Sequence, residues 1–220
     1  MIAYRMRVPG LILLLVAVLA IGPIAGCGGG GGGGPKPSGT ATVTGTILHD
    51  GTLDPVALCT AAIGTRTSAR TGTTGVFTIT QAPAGAQTLT VAQYYYESFS
   101  TTVSVQKPTT DVGTVYLAPR MTSGQGAVTG VVVSGPTSSP LGGVGISVGG
   151  QSGKSRSDGT GIFRVYKIPV SGTSQTYTLY AVDASNGWTA SKPITVRAGT
   201  ALTNVGTITL KFGPPPPPDF

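Results

Sequence analysis

Short runs in which apolar and polar residues alternate recur through most of the chain. Examples are Leu-Thr-Val at 89–91, Val-Ser-Val at 103–105 and Ile-Thr-Val at 194–196. A period of two places successive side chains on opposite faces, as in a strand with one buried face. Turn residues separate the runs at spacings typical of two packed sheets. The pattern therefore predicts an all-β protein with almost no helix after residue 26.

The runs occur twice in the same order, which indicates an internal repeat. The offset between matching segments grows from 85 residues at Val43 and Val128 to 93 at Leu117 and Leu210. The extra residues fall in Gly-, Ser- and Asn-rich stretches, where loop insertions are expected. Two tandem seven-stranded β-sandwiches with Greek-key connections are therefore predicted, at residues 40–119 and 125–212.

Some matched positions have predicted structural roles. Gly75 and Gly161 are expected to let the backbone re-enter a strand, so that Phe77 and Phe163 reach the core. Asp-Gly at 158–159 is expected to form a tight turn, because both residues tolerate a positive φ.

The N-terminal segment has a different pattern. Arg5 and Arg7 precede an apolar run at 11–21, and small residues then lead to Cys27. This order is typical of a secretory signal peptide, and the run is shorter than the ~20 residues of a membrane-spanning helix. Ile-Ala-Gly-Cys at 24–27 resembles the lipobox of bacterial lipoproteins. The resemblance implies that residues 1–26 are a cleaved lipoprotein signal peptide and that Cys27 carries acyl chains such as palmitate. The alternative is an ordinary secretory signal that precedes a cysteine by coincidence.

Low-complexity segments flank the repeated region. Cys27 is followed by seven glycines at 28–34 and by Pro-Lys-Pro-Ser-Gly at 35–39, so residues 27–39 are predicted to be a flexible linker. Residues 213–220 are proline-rich and are predicted to form a disordered tail outside any sheet. Gly28, in place of the Asp that retains many lipoproteins at the inner membrane, favours an outer membrane or the cell surface.

The order of motifs in each repeat carries a second resemblance. The C-terminal repeat contains Pro-Leu-Gly-Gly-Val at 140–144, Asp-Gly-Thr-Gly-Ile-Phe at 158–163, Tyr-Thr-Leu at 177–179 and Gly-Trp at 187–188. This order resembles carboxypeptidase regulatory-like domains, small sandwiches related to transthyretin. The N-terminal repeat departs from the pattern, with Gly72 at the Asp position. The resemblance implies a fold and leaves the function open, because such domains serve as appendages, spacers and binding units.

Charge changes this picture little. Only 10% of residues are charged, and the formal net charge of +7 falls to about +5 without Arg5 and Arg7. The basic residues are scattered and do not alternate with aromatic residues, so we expect no nucleic-acid partner. A mild attraction to anionic lipid or polysaccharide is the most that the charge supports.

The residues that could carry chemistry are few. His49 is the single histidine and is expected to be an exposed loop residue, since no nucleophile elbow or metal-ligand cluster accompanies it. The segment 149–155 has Val148 where a phosphate-binding loop needs glycine, so a polar hairpin and no nucleotide site is predicted. Cys59 is expected to be a buried apolar residue. No catalytic residue, metal ligand or cofactor is predicted; calcium at an aspartate-containing turn stays an open alternative.

Aromatic side chains are the remaining candidates for binding. Tyr94, Tyr95 and Tyr96 are consecutive, so some of their rings should face water, and Trp188 occupies the corresponding loop of the second repeat. Flat exposed rings stack on sugars, which makes Tyr94, Tyr96 and Trp188 candidate ligand-binding residues. In the alternative that we favour, Tyr96 and Trp188 cap the two cores.

Together these features predict a non-enzymatic, membrane-anchored lipoprotein of a bacterial cell envelope, facing away from the cytoplasm. It would act as a structural or protein-interaction module, with membrane lipid bound through Cys27 and an envelope protein as a partner. The alternative is a polysaccharide-binding surface lipoprotein that uses exposed aromatic residues.

Overall fold

The N-terminal half of the described chain consists of seven strands. The computed structural model describes residues 39–212. The strands of this half are β1 (Thr40–His49), β2 (Thr60–Ile63), β3 (Arg66–Thr67), β4 (Val76–Pro83), β5 (Gly85–Ala92), β6 (Phe99–Val105) and β7 (Thr109–Leu117). They form a three-stranded sheet in the order β4-β1-β7 and a four-stranded sheet in the order β3-β2-β5-β6.

The C-terminal half has the same succession of strands. These are β8 (Gln125–Ser134), β9 (Gly145–Val148), β10 (Gln151–Lys154), β11 (Ile162–Pro169), β12 (Ser174–Asp183), β13 (Trp188–Arg197) and β14 (Leu202–Phe212). They form one sheet in the order β10-β9-β12-β13-β14-β8-β11. Strands β13 and β14 pair only where Trp188 and Thr189 meet Phe212 and Lys211. This short contact joins segments of four and three strands that match the two sheets of the N-terminal half.

The first strand of each half is central to its three-stranded segment. Strand β1 pairs antiparallel with β4 and parallel with β7, and β8 pairs antiparallel with β11 and parallel with β14. A parallel pair needs a long crossover connection. The intervening strands other than β4 and β11 provide it by forming the second layer of each half.

Each half has its own cluster of buried apolar side chains. The alternation predicted from the sequence appears in β1 and β8, where every second residue is buried along most of the strand. Phe77 and Phe163 are among the largest fully buried side chains, one in each cluster, as predicted. The cores therefore contain corresponding residues of the two repeats.

Backbone geometry repeats as well. Gly75 and Gly161 both have positive φ, and a Cβ atom would lie 2.4 Å from the carbonyl oxygen of Ile47 at Gly75 and 2.6 Å from that of Val132 at Gly161. Both positions therefore exclude a side chain. Two non-glycine pairs share the left-handed conformation too: Leu53 with Ser138, and Gln81 with Lys167.

The all-β prediction is confirmed, since residues 39–212 contain strands and turns but no helix. That range accordingly contains no helix that could span a bilayer. The predicted hairpin at 149–155 is confirmed, because β9 and β10 pair across Gly149 and Gly150. The predicted signal peptide (1–26), most of the linker (27–39) and the tail (213–220) lie outside the described residues. The predicted end of the first sandwich, residue 119, lies just after the end of β7 at Leu117. The predicted start of the second, residue 125, is the first residue of β8. The division into two domains stays a prediction.

Candidate functional site

The sequence-predicted candidates do not converge on one site. Tyr94 is 78% exposed in the loop between β5 and β6. Tyr96, two residues on, is half-buried and packs against the N-terminal core, whereas Trp188 starts β13 and packs against the C-terminal core. This packing agrees with the core-capping alternative for Tyr96 and Trp188. Cys27, the predicted lipidation site, lies outside the described residues.

Tyr94 and Tyr95 form the most exposed aromatic pair of the described chain. Their ring centroids are 5.0 Å apart with the planes nearly perpendicular, and Tyr95 is 66% exposed. Edge-to-face contact is a favoured arrangement of two aromatic rings. One ring can therefore support the other while a ring face stays open to solvent.

Two clefts adjoin this pair. The first has a volume of about 430 Å³, and its lining includes Leu58, Arg70 and Arg120. The second has a volume of about 300 Å³ and includes Arg120 and Lys167. Both tyrosines and Arg120 line both clefts. We call the surface formed by Leu58, Arg70, Tyr94, Tyr95 and Arg120 the aromatic face.

The main chain of the loop at 93–98, which we call the tyrosine loop, fixes Arg120. Its backbone N–H donates to the carbonyl oxygen of Tyr95 at 2.9 Å, and its Nε donates to that of Tyr96 at 3.0 Å. The backbone N–H of Tyr95 in turn donates to Oε1 of Gln93. The loop is thus held in place by its own hydrogen bonds. The terminal nitrogens of Arg120 have no hydrogen-bond partner among residues 39–212.

Leu58 is held on the aromatic face by a buried threonine. Thr71 Oγ1 donates to the carbonyl oxygen of Val56 and accepts from the backbone N–H of Cys59, while the N–H of Leu58 donates to the Thr71 carbonyl. Leu58 has a φ of 60° and is 61% exposed. A left-handed leucine that faces water is an uncommon arrangement, and strain of this kind is often retained at functional positions.

Cys59 follows Leu58 and is fully buried with a free thiol, as the sequence predicted. Burial raises the pKa of Cys59. A neutral, inaccessible thiol is a poor nucleophile.

A cluster of polar side chains joins the two halves. We call Asp50, Arg156, Arg164 and Tyr166 the junction. Asp50 follows β1 and is only 4% exposed. Its carboxylate accepts hydrogen bonds from Arg156, Arg164 and Tyr166 of the C-terminal half, with the Tyr166 hydroxyl 2.8 Å from Oδ2. Arg156 also lies over the ring of Tyr116, 3.7 Å from its centroid. One carboxylate therefore connects two β-sheet layers that share no strand pairing in the described range.

The backbone also takes part in the junction. The N–H of Lys154 donates to the carbonyl oxygen of Gly51 at 2.8 Å. Residues 39–212 accordingly fall within a single compact unit.

Electrostatics at the junction favour the ion pairs. Burial raises the pKa of Tyr166, and the neighbouring Asp50 carboxylate raises it further. Burial opposes the charge on Arg164, but the hydrogen bond and the negative charge of Asp50 outweigh this effect and raise the pKa of Arg164. Tyr166 therefore stays a hydrogen-bond donor and Arg164 stays a cation at neutral pH.

The prediction for His49 is wrong: it is a half-buried residue that ends β1, not an exposed loop residue. Its Nδ1 accepts the backbone N–H groups of Gly51 at 2.9 Å and Thr52 at 3.1 Å. Its ring makes edge contacts with Tyr96 and Tyr166. Burial lowers the pKa of His49. The imidazole is thus neutral and structural, because an accepting Nδ1 carries no proton.

Metal ligands are not grouped in the described chain. Between residues 39 and 212 no three His, Cys, Asp or Glu side chains lie close enough together to hold a metal ion. The aspartates instead serve local turns: Asp158 accepts from Thr160, and Asp183 from Ser185 and Asn186.

Sequence reasoning missed the junction and most of the aromatic face. Asp50 is 106, 114 and 116 residues away from its three partners. No local pattern records such a contact. The three consecutive tyrosines were a usable signal for the aromatic face, but Arg70 and Arg120 had none.

Comparisons with known proteins provide only distant similarities. No protein-family model matches the chain, and no curated protein matches it. The resemblance to carboxypeptidase regulatory-like domains therefore rests on sequence motifs alone.

Solved structures with a similar arrangement include two pilins. The minor pilin GBS52 of Streptococcus agalactiae is 13% identical, with 82% of this chain and 100% of that chain covered and a TM-score of 0.31. The shaft pilin SpaA of Lactobacillus rhamnosus GG is 14% identical, with 81% and 100% covered and a TM-score of 0.31.

A third similarity is to a mutant type II cohesin–X-dockerin complex of Acetivibrio cellulolyticus. It is 23% identical over 35% of this chain and 56% of that chain, with a TM-score of 0.31. This chain thus matches little more than half of that one. TM-scores near this value carry no functional argument.

Proposed function

We propose that this protein is a membrane-anchored lipoprotein of a bacterial cell envelope, in which two tandem β-sandwiches act as a non-enzymatic structural or protein-interaction module. The observation that carries the proposal is the junction. A buried carboxylate held by three side chains of the other half fixes both halves as one body. A fixed two-part body suits a protein that positions something at a distance from a membrane.

Two features of the chain support this proposal. The lipobox-like sequence at 24–27 and the glycine-rich linker would leave the folded part tethered to the membrane. His49, the residue on which most hydrolytic arrangements would depend, is instead committed to the turn after β1 through its Nδ1. Its hydrogen bonds give it a structural role.

The anchor is tested by replacing the proposed lipidation site. One acyl chain gives only marginal membrane binding, whereas several hold a protein firmly. We expect Cys27→Ser to move the protein out of the membrane fraction and to abolish incorporation of labelled fatty acid. The matched control is Cys59→Ser, which removes the other cysteine and should leave both properties unchanged. A Cys27→Ser protein that stays in the membrane fraction and is labelled would overturn the proposal.

A second candidate function is binding of a polysaccharide. The observation that favours it is the exposed, edge-to-face pair of Tyr94 and Tyr95 between two clefts. Trp188 does not take part, because it packs against the C-terminal core. Retention of the full-length protein by an immobilised polysaccharide, and its loss on Tyr94→Ala, tests this function.

A further inference from the structure

Both clefts that the tyrosine pair lines carry positive charge. Arg70 and Arg120 line the first cleft, and Arg120 and Lys167 line the second. None of the residues that line these two clefts is an aspartate or a glutamate, and all of them lie within residues 39–212. An occupant that reaches from one cleft to the other would therefore meet three cations and no carboxylate. Such a surface attracts an anion.

The cations are available for binding. Arg70 is exposed and forms no hydrogen bond or ion pair with another residue of the described chain. Arg120 uses its Nε on the main chain of the tyrosine loop and leaves its terminal nitrogens for a ligand. A guanidinium group binds a carboxylate through paired hydrogen bonds. Because Arg120 and its loop are already ordered, binding there would cost little conformational entropy.

The remaining lining residues favour a carbohydrate. Thr60, Gln93 and Ser98 in the first cleft, and Thr122 and Gln125 in the second, offer hydroxyl and amide groups that pair with sugar hydroxyls. The open face of a tyrosine ring can stack on the C–H face of a pyranose. The apolar side chains are limited to Leu58 and Ala92. An acidic peptide would need deeper apolar pockets for its anchoring side chains.

From these observations we propose that the aromatic face binds an anionic polysaccharide whose sugars carry carboxylates, with Tyr94 or Tyr95 stacking on one sugar ring and Arg70 and Arg120 binding carboxylates. The inference rests on the second function proposed above and names its ligand class. Lys167 belongs to β11 of the C-terminal half, so a chain that occupies both clefts would also contact both halves. The junction would then hold the two parts of the site in register.

Affinity electrophoresis of the full-length protein in detergent micelles tests the proposal. Gels contain polygalacturonate, neutral dextran or poly-glutamate. We expect retention by polygalacturonate, little retention by dextran, and weaker retention by poly-glutamate. Arg70→Gln and Arg120→Gln should each raise the apparent Kd for polygalacturonate by about tenfold, since each removes a charge-assisted hydrogen bond. Tyr94→Ala together with Tyr95→Ala should raise it by a similar factor.

Two control variants separate a site from general attraction. Arg66→Gln removes an equal charge from an exposed position of β3 outside both clefts, and Phe212→Ala removes an exposed ring from β14. Both should bind polygalacturonate as the unmodified protein does. An equal loss in Arg66→Gln would reduce the effect to net charge and overturn the proposal.

The three polymers distinguish the ways in which the proposal can fail. Retention by dextran as strong as by polygalacturonate keeps a polysaccharide function but overturns the anionic ligand. Retention by poly-glutamate that equals or exceeds retention by polygalacturonate points to an acidic protein partner and overturns the proposal. Retention by none of the polymers overturns both this inference and the second candidate function, while leaving the anchored module to its own test on Cys27.

Discussion

The first strand of each half ends in the same backbone turn, but only one of the two turns carries a charge. The N–H of Asp50 donates to the carbonyl oxygen of Leu117 at 2.9 Å, and at the corresponding position the N–H of Gly135 donates to that of Leu210 at 2.8 Å. Asp50 adds a carboxylate that reaches the C-terminal half, whereas Gly135 adds nothing. The two turns thus share a backbone, and the N-terminal turn alone carries a carboxylate that adds to the contact between the halves.

The loops between the fifth and sixth strands differ in a similar way. In the N-terminal half this loop carries the exposed Tyr94 and Tyr95, whereas in the C-terminal half it leads to Trp188, which packs inward. Tyr96 of the first loop and Trp188 at the start of β13 each supply a half-buried ring to their core. The N-terminal half therefore has the packed ring of Tyr96 and, in addition, the exposed pair of Tyr94 and Tyr95 that the fold does not require.

The largest effects should follow from emptying either core. Phe77→Ala and Phe163→Ala each remove a buried aromatic ring and should lower the free energy of unfolding by ~3–5 kcal/mol. Hydrogen exchange should show the loss of protection starting in the half that carries the substitution. If both variants lose protection evenly over both halves, the two clusters behave as one core and the comparison between halves fails.

Asp50→Asn tests the contact that distinguishes the halves. Removing one partner of a buried ion pair leaves the others unpaired, and partial exposure of Arg164 reduces the penalty, so we expect a loss of about 2–4 kcal/mol. Thermal denaturation should also resolve two transitions in the variant if the junction couples the halves. Asp54→Asn removes an exposed carboxylate four residues away and is the matched control. A denaturation curve of Asp50→Asn that matches the control would show that the junction contributes no coupling.

The sequence is sufficient for those parts of the structure that depend on local pattern. Alternation identifies the strands, and the paired positions of Gly75 with Gly161 and Phe77 with Phe163 identify backbone and core roles that the structure confirms. Asp50 lies in the turn after β1, but its burial depends on Arg156 and Arg164, more than a hundred residues away. The exposure predicted for His49 is wrong for the same reason, because the rings that cover it come from β11 and the tyrosine loop.

Gly135→Ala tests why the turn after β8 has glycine at the position that Asp50 occupies after β1. A Cβ atom at this position would lie 2.5 Å from the carbonyl oxygen of Leu210, so the backbone would have to shift. We expect a loss of about 1–3 kcal/mol in the free energy of unfolding, measured by urea denaturation. The comparison is Gly143→Ala, which removes another glycine of this half. A Cβ at Gly143 would meet no atom within 4 Å, so this variant measures only the cost of the positive φ of Gly143. An unchanged midpoint for Gly135→Ala would mean that the turn tolerates a side chain, and that the difference from Asp50 has no steric cause.

The smallest expected effect is the pH dependence of the turn that carries Asp50. Burial lowers the pKa of His49 below its usual value of 6.5, and protonation of Nδ1 would also break its hydrogen bonds to Gly51 and Thr52. The folded protein therefore binds this proton less readily than the unfolded chain does. The stability that the neutral ring contributes is complete above the unfolded pKa and is lost as the pH falls through it and below.

We accordingly expect the free energy of unfolding to decrease modestly between about pH 7.5 and pH 5, a window above the range in which most carboxylates titrate. His49→Asn keeps an acceptor near the position of Nδ1 but does not titrate, so its free energy of unfolding should vary less over the same window. The N–H groups of Gly51 and Thr52 would keep a partner in this variant, and Asp50 should stay within reach of Arg156. If the two proteins show the same slope, the proton that matters binds elsewhere, and His49 is only a spacer between Tyr96 and Tyr166.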